Sequence, residues 1–250
     1  MMKDIIHFVC WKYDGIPVKK KKNIFTSHHV NVLAAMIGRN MNDPYDITCI
    51  TDDPEGIDTS RVRILPIWDD LSDTAGCYRR LKIFSLEMLN IIGKRIVSID
   101  LDCVIKSDIT SLFYRTEDFV IWGEHDRRAP YCGSFWMMVA GSRRYIWDEF
   151  SMSAMPQKYT AFGTDQGWIN YKMYPKEAMW SKKDGIYNFM THFSVNNLLR
   201  KGPNSAARKR WMVEMPTNAK IIFFNGRCDP SMSALYSDFP WIEEHWRLDD

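Results

Sequence analysis

Two aspartates interrupt an otherwise apolar stretch in the first half of the chain. The segment RIVSIDLDCVI, residues 95–105, is rich in isoleucine, valine and leucine, yet it contains Asp100 and Asp102. Such a run predicts a buried strand, in which side chains two residues apart point to the same side. Buried carboxylates without partners are strongly unfavourable, and two that lie close together raise each other's pKa. The pair therefore requires a compensating partner.

A divalent cation is one such partner. Mg²⁺ and Mn²⁺ prefer oxygen ligands, retain some water, and are usually completed by the phosphates of a substrate. The competing interpretation is that the two acids lie at a frayed strand end and cap the next turn. A D-x-D pair alone is short enough to occur by chance, but its position after an apolar strand makes it more specific.

The elements that would position these acids alternate along the first half of the chain. Apolar runs predict strands, and apolar residues at helical spacing predict two helices; the strands cover 5–11, 46–53, 62–67 and 95–105, and the helices 28–41 and 79–92. This alternation predicts an α/β fold with a mostly parallel central sheet flanked by helices. Ligands of such sheets bind beyond the carboxyl ends of the strands, where Asp52, Asp53, Asp100 and Asp102 fall.

The second half of the chain is less regular. Strands are predicted over 118–124, 133–140 and 221–225. A helix is predicted to begin with 145–150, and a short helix is predicted over 164–174. No linker divides the sequence, so we expect one domain over 1–250. Its first half, about 1–125, is Rossmann-like and expected to face a nucleotide, and about 126–250 is expected to face an acceptor.

Composition excludes several classes of partner. Lys and Arg number 33 against 31 Asp and Glu, so the chain lacks the basic excess typical of nucleic-acid binding. Six cysteines without a CxxC pair favour a reducing, cytoplasmic setting. No stretch reaches the roughly 18 apolar residues of a membrane-spanning helix, which leaves only a peripheral membrane contact open.

Five segments in a fixed order resemble one enzyme family across nearly the whole chain. They are YRRLKIFSLEML, RIVSIDLDCVIKSDITSLF, YCGSFWMMVAG, GTDQGWIN and IIFFNGRCDP. This order resembles the GT-A fold glycosyltransferases related to glycogenin and the bacterial lipopolysaccharide galactosyl- and glucosyltransferases. The resemblance implies that Asp100 and Asp102 hold Mn²⁺ or Mg²⁺ against the diphosphate of a nucleotide sugar such as a UDP-sugar. It also implies a glycan or another hydroxyl compound as acceptor.

The same resemblance suggests roles for further residues. Arg80 stands where the family has a basic residue, usually Lys, that contacts the donor; otherwise it faces solvent on an amphipathic helix. Asp165 and Gln166 match the pair that positions donor sugar and acceptor, although Thr164 or Asp165 also suits a helix N-cap. Two further residues complete the expected donor contacts: Ser134 in the segment that lines the sugar pocket, and Arg227 as a phosphate ligand.

Asn225 departs from the family pattern. The family usually has a His before Gly at this point, and that His completes the metal site. An Asn carbonyl oxygen can bind a hard cation, but it is neutral and weaker than imidazole towards Mn²⁺. Three interpretations follow: a looser metal site, replacement by another residue such as His245, or a degenerate enzyme. We favour the first.

The expected reaction is transfer of a sugar to an acceptor hydroxyl, and the resemblance implies retention of anomeric configuration. An inverting route would need a single carboxylate base, for which Asp165 or Glu124 is available. Two other functions remain open. A nucleotidyltransferase also pairs acids around Mg²⁺, but the first strand lacks the Gly-rich phosphate loop. A carbohydrate- or nucleotide-binding protein with a decayed metal site is the non-enzymatic alternative.

Overall fold

In the residues that the computed structural model of the chain describes, ten strands form two sheets. The structure describes residues 4–13, 25–68, 71, 74, 76–123, 130–160, 163–193, 214–224 and 228–249. The strands are β1 Ile6–Lys12, β2 Tyr45–Thr51, β3 Arg63–Pro66, β4 Arg95–Ile99, β5 Cys103–Ile105, β6 Phe119–Trp122, β7 Cys132–Val139, β8 Ala178–Trp180, β9 Ile186–Asn188 and β10 Ile221–Phe223.

The seven-stranded central sheet has the order β3-β2-β1-β4-β7-β6-β8. Strands β3, β2, β1 and β4 run parallel to one another, as do β6 and β8. Only β7 is antiparallel, to β4 on one side and to β6 on the other. The prediction of an α/β fold with a mostly parallel sheet is therefore confirmed.

Short helices connect and cover the strands. The α-helices are α1 Ser27–Asn40, α2 Met88–Ile91, α3 Tyr145–Asp148, α4 Gln157–Thr160, α5 Asp165–Met173, α6 Phe189–His192 and α7 Trp241–His245. The 3-10 helices are Gly76–Phe84, Thr110–Phe113, Met152–Ala154, Lys182–Asp184 and Ser233–Leu235. No helix in the described ranges is long and apolar enough to cross a bilayer.

The segment 95–105 is not one strand, contrary to the prediction. Strand β4 ends at Ile99, and β5 begins at Cys103 in the smaller sheet of order β5-β10-β9. Asp100, Leu101 and Asp102 form the bend between the two sheets. Two charged side chains in a row of buried aliphatic ones favour such a break, because the bend takes them out of the apolar strand.

The predicted helix over 79–92 is also replaced by two elements. A 3-10 helix runs from Gly76 to Phe84, and the single-turn helix α2 begins at Met88. Apolar residues three or four apart suit either helix type, so their spacing does not separate them. The difference matters for the site, since Arg80 lies on the 3-10 helix.

The smaller sheet packs on one face of the central sheet through stacked aromatic rings. Trp122 of β6 stacks on Phe223 of β10 at 4.8 Å between centroids, and the ring of Phe135 of β7 lies 5.8 Å from the same Phe223 ring. All three side chains are buried. This packing fixes β10 against β6 and β7, and the amide of Phe224, directly after β10, donates to the Asp102 carbonyl at 2.7 Å.

Candidate active site

Arg80 joins the two acidic segments that the sequence singled out. Its Nη1 atom contacts Oδ1 of Asp100, and its Nε and Nη2 atoms lie 2.9 and 2.8 Å from Oδ2 of Asp165. The exposed fractions of these side chains are 12% for Arg80, 21% for Asp100 and 5% for Asp165. The interpretation of Arg80 as a solvent-facing residue is therefore wrong. Although burial opposes it, the two carboxylates raise the pKa of Arg80.

The 3-10 geometry explains how Arg80 reaches this position. Residues three apart are eclipsed in a 3-10 helix, so Cys77 and Arg80 share one face. Cys77 lies close enough to Arg80 and Asp165 to feel both charges. Burial raises the pKa of its thiol to about 12, so it is protonated at neutral pH. The Tyr13 hydroxyl donates to the Gly76 carbonyl at 3.1 Å and ties the start of this helix to the chain after β1.

Asp165 begins helix α5 and is held from two directions. Thr164 is the N-cap residue, in extended conformation, as one of the two sequence interpretations required. Oδ1 of Asp165 accepts the Gln166 amide at 3.1 Å, while Oδ2 binds Arg80. Burial raises the pKa of Asp165, and Arg80 offsets only part of that effect. The half-buried Gln166 side chain follows directly at the same helix start.

Strand β7 forms the wall beside this ion-paired cluster. The Ser134 carbonyl accepts the Asp100 amide at 2.9 Å, and the Ser134 side chain is buried beside Cys132. Gly133 is a neighbour that the sequence analysis did not single out. A Cβ atom there would stand 3.5 Å from Nη2 of Arg80 and 3.7 Å from both Asp165 carboxylate oxygens. The structure thus brings Arg80, Asp100, Asp165 and Ser134 together.

Asp102 carries the clearest sign of a missing partner. Its Oδ1 atom is buried and has no hydrogen-bond partner in the described part of the chain. Burial raises its pKa well above the usual value, and the charges of Asp100 and Asp229 raise it further. A carboxylate in this state fits a divalent cation whose remaining ligands come from a substrate. Within the described ranges, no three or more His, Cys, Asp or Glu side chains already surround one metal position.

The other candidates divide into two groups. Asn225, Arg227 and Glu124 lie outside the described residues. His245 is described, and its ring lies 3.8 Å from Glu244 on α7. It does not form a metal-binding group with Asp100 and Asp102 among the described residues. Replacement of the family His by His245 is therefore not supported by the geometry.

Asp53 has a structural role at the end of β2. Its Oδ1 accepts the Glu55 amide at 3.2 Å, which makes a turn after the strand. Its Oδ2 lies 2.7 Å from Nζ of Lys12, a nearly buried lysine at the end of β1 that the sequence analysis missed. The hydrogen bond from this lysine, the Glu55 amide and the lysine charge lower the pKa of Asp53. A lysine that directly follows an apolar run was the available signal.

A surface cavity of about 250 Å³ lies apart from these residues. Its lining comes from the chain around the 3-10 helices Thr110–Phe113 and Lys182–Asp184 and from the start of β10. None of the predicted site residues belongs to it. We therefore locate the candidate site by the charged cluster and not by this cavity.

Comparison with solved structures identifies the architecture. The galactosyltransferase LgtC, in complex with donor and acceptor sugar analogs, matches with a TM-score of 0.55 and 9% identity over 97% of both chains. The glycosyltransferase GlyE of Streptococcus pneumoniae TIGR4 matches with a TM-score of 0.61 and 10% identity. The chain has the GT-A fold.

The fold resemblance stated from the sequence is thereby confirmed, at identities that show the fold alone. The bifunctional glycosyltransferase WbbM gives a TM-score of 0.56 at 12% identity. The match covers 98% of this chain and 62% of GlyE, and 97% of this chain and 50% of WbbM. No protein-family model matches the sequence, and no curated protein matches it significantly.

Proposed function

We propose that the chain transfers a sugar from a nucleoside-diphosphate sugar, such as a UDP-sugar, to a hydroxyl group of a glycan or another acceptor. The observation that carries this proposal is the ion-paired cluster of Arg80, Asp100 and Asp165 beyond the carboxyl end of β4. This is the edge of a parallel sheet at which ligands bind. The GT-A fold supports glycosyl transfer as the reaction class.

Arg80 would stabilise the negative charge that develops on the departing diphosphate. Asp100 and Asp165 already hold its guanidinium in place, so little reorganisation is needed during the reaction. Each terminal nitrogen of the guanidinium carries a further N–H beyond those in the ion pairs, and this planar group suits phosphate oxygens. Arg227 would add a second phosphate contact.

Asp100 and Asp102 would hold Mn²⁺ or Mg²⁺, with Asn225 as a neutral amide ligand. When bound, the cation would act as a Lewis acid on the diphosphate and balance its charge. The buried, unpartnered Oδ1 of Asp102 supports this assignment. The resulting dependence on a divalent cation is part of the proposal.

Retention of configuration is proposed for the same reaction. An inverting route needs a carboxylate free to accept a proton. Both oxygens of Asp165 are already engaged, by Arg80 and by the Gln166 amide, which suits a positioning role better. Asp165, Gln166 and Ser134 would then orient the donor sugar. In this arrangement about 1–125 face the nucleotide and about 126–250 the acceptor.

The test is donor hydrolysis over a panel of UDP- and GDP-sugars with Mn²⁺, with Mg²⁺ and with EDTA. We expect cation-dependent release of the nucleoside diphosphate, and a loss of about 100-fold or more in Asp102→Asn. Asp118→Asn is the matched control, because its side chain is 57% exposed and pairs with Arg143 away from the cluster.

Each other outcome contradicts the proposal in a different way. Unchanged activity of Asp102→Asn rejects the metal assignment. Release of pyrophosphate indicates a nucleotidyltransferase, and nucleotide-sugar binding without turnover indicates a binding protein. If the wild type stays active in EDTA while Asp102→Asn is inactive, the carboxylate is required but the cation is not.

A further inference from the structure

The surface cavity of about 250 Å³ lies at the end of the smaller sheet that is remote from the candidate active site. Strand β5 begins directly after Asp102 and pairs antiparallel with β10, so that its last residue, Ile105, lies opposite Ile221 at the start of β10. Lys220, which precedes Ile221, lines the cavity. The length of β5 therefore separates this cavity from the bend at Asp102.

Hydrogen bonds fix the wall of the cavity that leads into β10. The Lys220 amide donates to the Gly185 carbonyl at 2.8 Å. Asn218, which also lines the cavity, accepts the Tyr187 hydroxyl at 2.7 Å and donates to the Lys182 carbonyl at 2.9 Å. This wall is formed without a ligand, so binding would not have to pay for ordering it.

Lys220 brings a positive charge to the lining without an ion-pair partner. Its Nζ atom donates to the carbonyl of Asp108 and, at 3.1 Å, to the hydroxyl of Ser111. Both acceptors are neutral, so one N–H of the ammonium has no partner in the described part of the chain. The Asp108 carboxylate accepts the Thr110 amide at 2.8 Å and forms no ion pair with Lys220.

Lys183 supplies a second ammonium group to the lining. Its side chain is exposed and contacts no carboxylate of the described residues. The Asp184 carboxylate also lines the cavity, but it holds the Ser181 amide at 2.8 Å and the Ser181 hydroxyl at 3.2 Å. Glu117 matches the charge of the remaining cation, Arg115, through contacts of 3.1 and 2.5 Å. The two lysines therefore leave the lining with an excess of positive charge.

Trp180 adds a hydrogen-bond donor without an acceptor. The residue lines the cavity, its side chain is buried, and its indole Nε1 atom has no partner among the described residues. An indole N–H can only donate, and a buried donor that lacks an acceptor is unfavourable. An acceptor oxygen held at this wall would complete the hydrogen bond.

We propose that this cavity binds a phosphate group of a ligand other than the nucleotide sugar, through Lys183 and Lys220 and with Trp180 as a further donor. A lysine ammonium suits phosphate because it is a compact charge with three donors. The cavity is several times larger than the roughly 30 Å³ that a water molecule occupies in the liquid, so it has room for a phosphate and part of its ester. Soluble phosphate esters and phospholipid head groups share this chemistry.

The test is heteronuclear NMR of the tryptophan indole N–H groups during titration with inorganic phosphate, with and without saturating UDP and Mg²⁺. Trp180→Phe identifies the Trp180 signal by its loss. We expect this signal to shift saturably, with the same affinity in both conditions. Lys183→Gln and Lys220→Gln should each bind at least about 10-fold more weakly. Lys94→Gln is the matched control, since Lys94 is 60% exposed, pairs with Asp4 and lies outside the lining.

A Trp180 signal that does not shift, or equal affinities in the wild type and both lysine variants, overturns the proposal. A shift that UDP and Mg²⁺ abolish assigns the phosphate to the donor site and also overturns it. Should Lys220→Gln not fold, the exposed Lys183 decides through Lys183→Gln.

Two further titrations distinguish the sources of the phosphate. Glycerol phosphate represents a soluble ester, and vesicles that contain phosphatidic acid represent a lipid head group. Binding of either one that is weakened in Lys183→Gln supports the proposal, and binding of neither overturns it. These measurements need no turnover, so an inactive protein would contradict Proposed function alone.

Discussion

Replacement of Arg80 by methionine tests the electrostatic reasoning behind the site most directly. The variant keeps the length of the side chain and removes the charge that Asp100 and Asp165 share. Removing one partner of a buried ion pair costs about 3–5 kcal/mol, because the other charge is left without compensation. Asp165 is only 5% exposed, so water cannot replace Arg80 there. We expect a loss of this size in the free energy of unfolding at about pH 8, in metal-free buffer.

The loss in the free energy of unfolding of Arg80→Met should shrink as the pH falls. Burial raises the pKa of Asp165 even with Arg80 present, and without Arg80 the folded-state pKa rises further. A carboxyl whose folded-state pKa exceeds its unfolded value binds more protons when folded. Its ionisation therefore destabilises the folded protein: this effect is absent below the unfolded pKa and grows as the pH rises from the unfolded to the folded pKa. The difference between wild type and variant should therefore be small near about pH 4 and largest at about pH 8.

Urea unfolding at several pH values measures this difference. Arg61→Met serves as control, because Arg61 is 46% exposed and pairs with Asp58 and Asp249 at the surface. Such pairs contribute less than about 1 kcal/mol. A loss for Arg80→Met that is below about 1 kcal/mol, or that is independent of pH, would refute the argument.

Substitutions at two further positions test the walls of the site. Gly133→Ala should change the urea midpoint little, since its Cβ would make ordinary contacts with Arg80 and Asp165. Gly133→Leu should disrupt the ion pair of these two residues, and equal effects of the two substitutions would contradict the geometry. Asn170→Ala should cost about 3 kcal/mol, because the buried amide joins both backbone groups of Tyr131 to α5, and a loss below about 1 kcal/mol in urea unfolding would contradict this.

The first half of the fold follows from local sequence patterns. The predicted helix over 28–41 is found at Ser27–Asn40, and the strand predicted over 5–11 at Ile6–Lys12. The helix has apolar residues at helical spacing over several turns, and the strand has a continuous apolar run. Alternation of such elements then dictates a parallel sheet, because parallel strands need crossover connections.

The two errors in element assignment have one physical origin. In 95–105 and in 79–92 the apolar pattern continues, but the chain changes direction or helix type to bring charged groups together. The bend at Asp100 and the 3-10 helix at Arg80 meet in one ion pair. Contacts between residues so far apart in the sequence leave no trace in its local periodicity.

Asp58 and Asp229 show why burial is invisible to local reasoning. Each is followed two residues later by a serine whose amide and hydroxyl bind its Oδ1, so the two turns look alike in sequence and in hydrogen bonding. Asp58 is 44% exposed at its side chain, and water can satisfy its other oxygen. Asp229 is buried by α1, which lies 200 residues earlier and contributes His29. The same local motif is therefore a solvated turn in one place and a buried carboxylate held by a histidine in the other, and only the tertiary fold decides which.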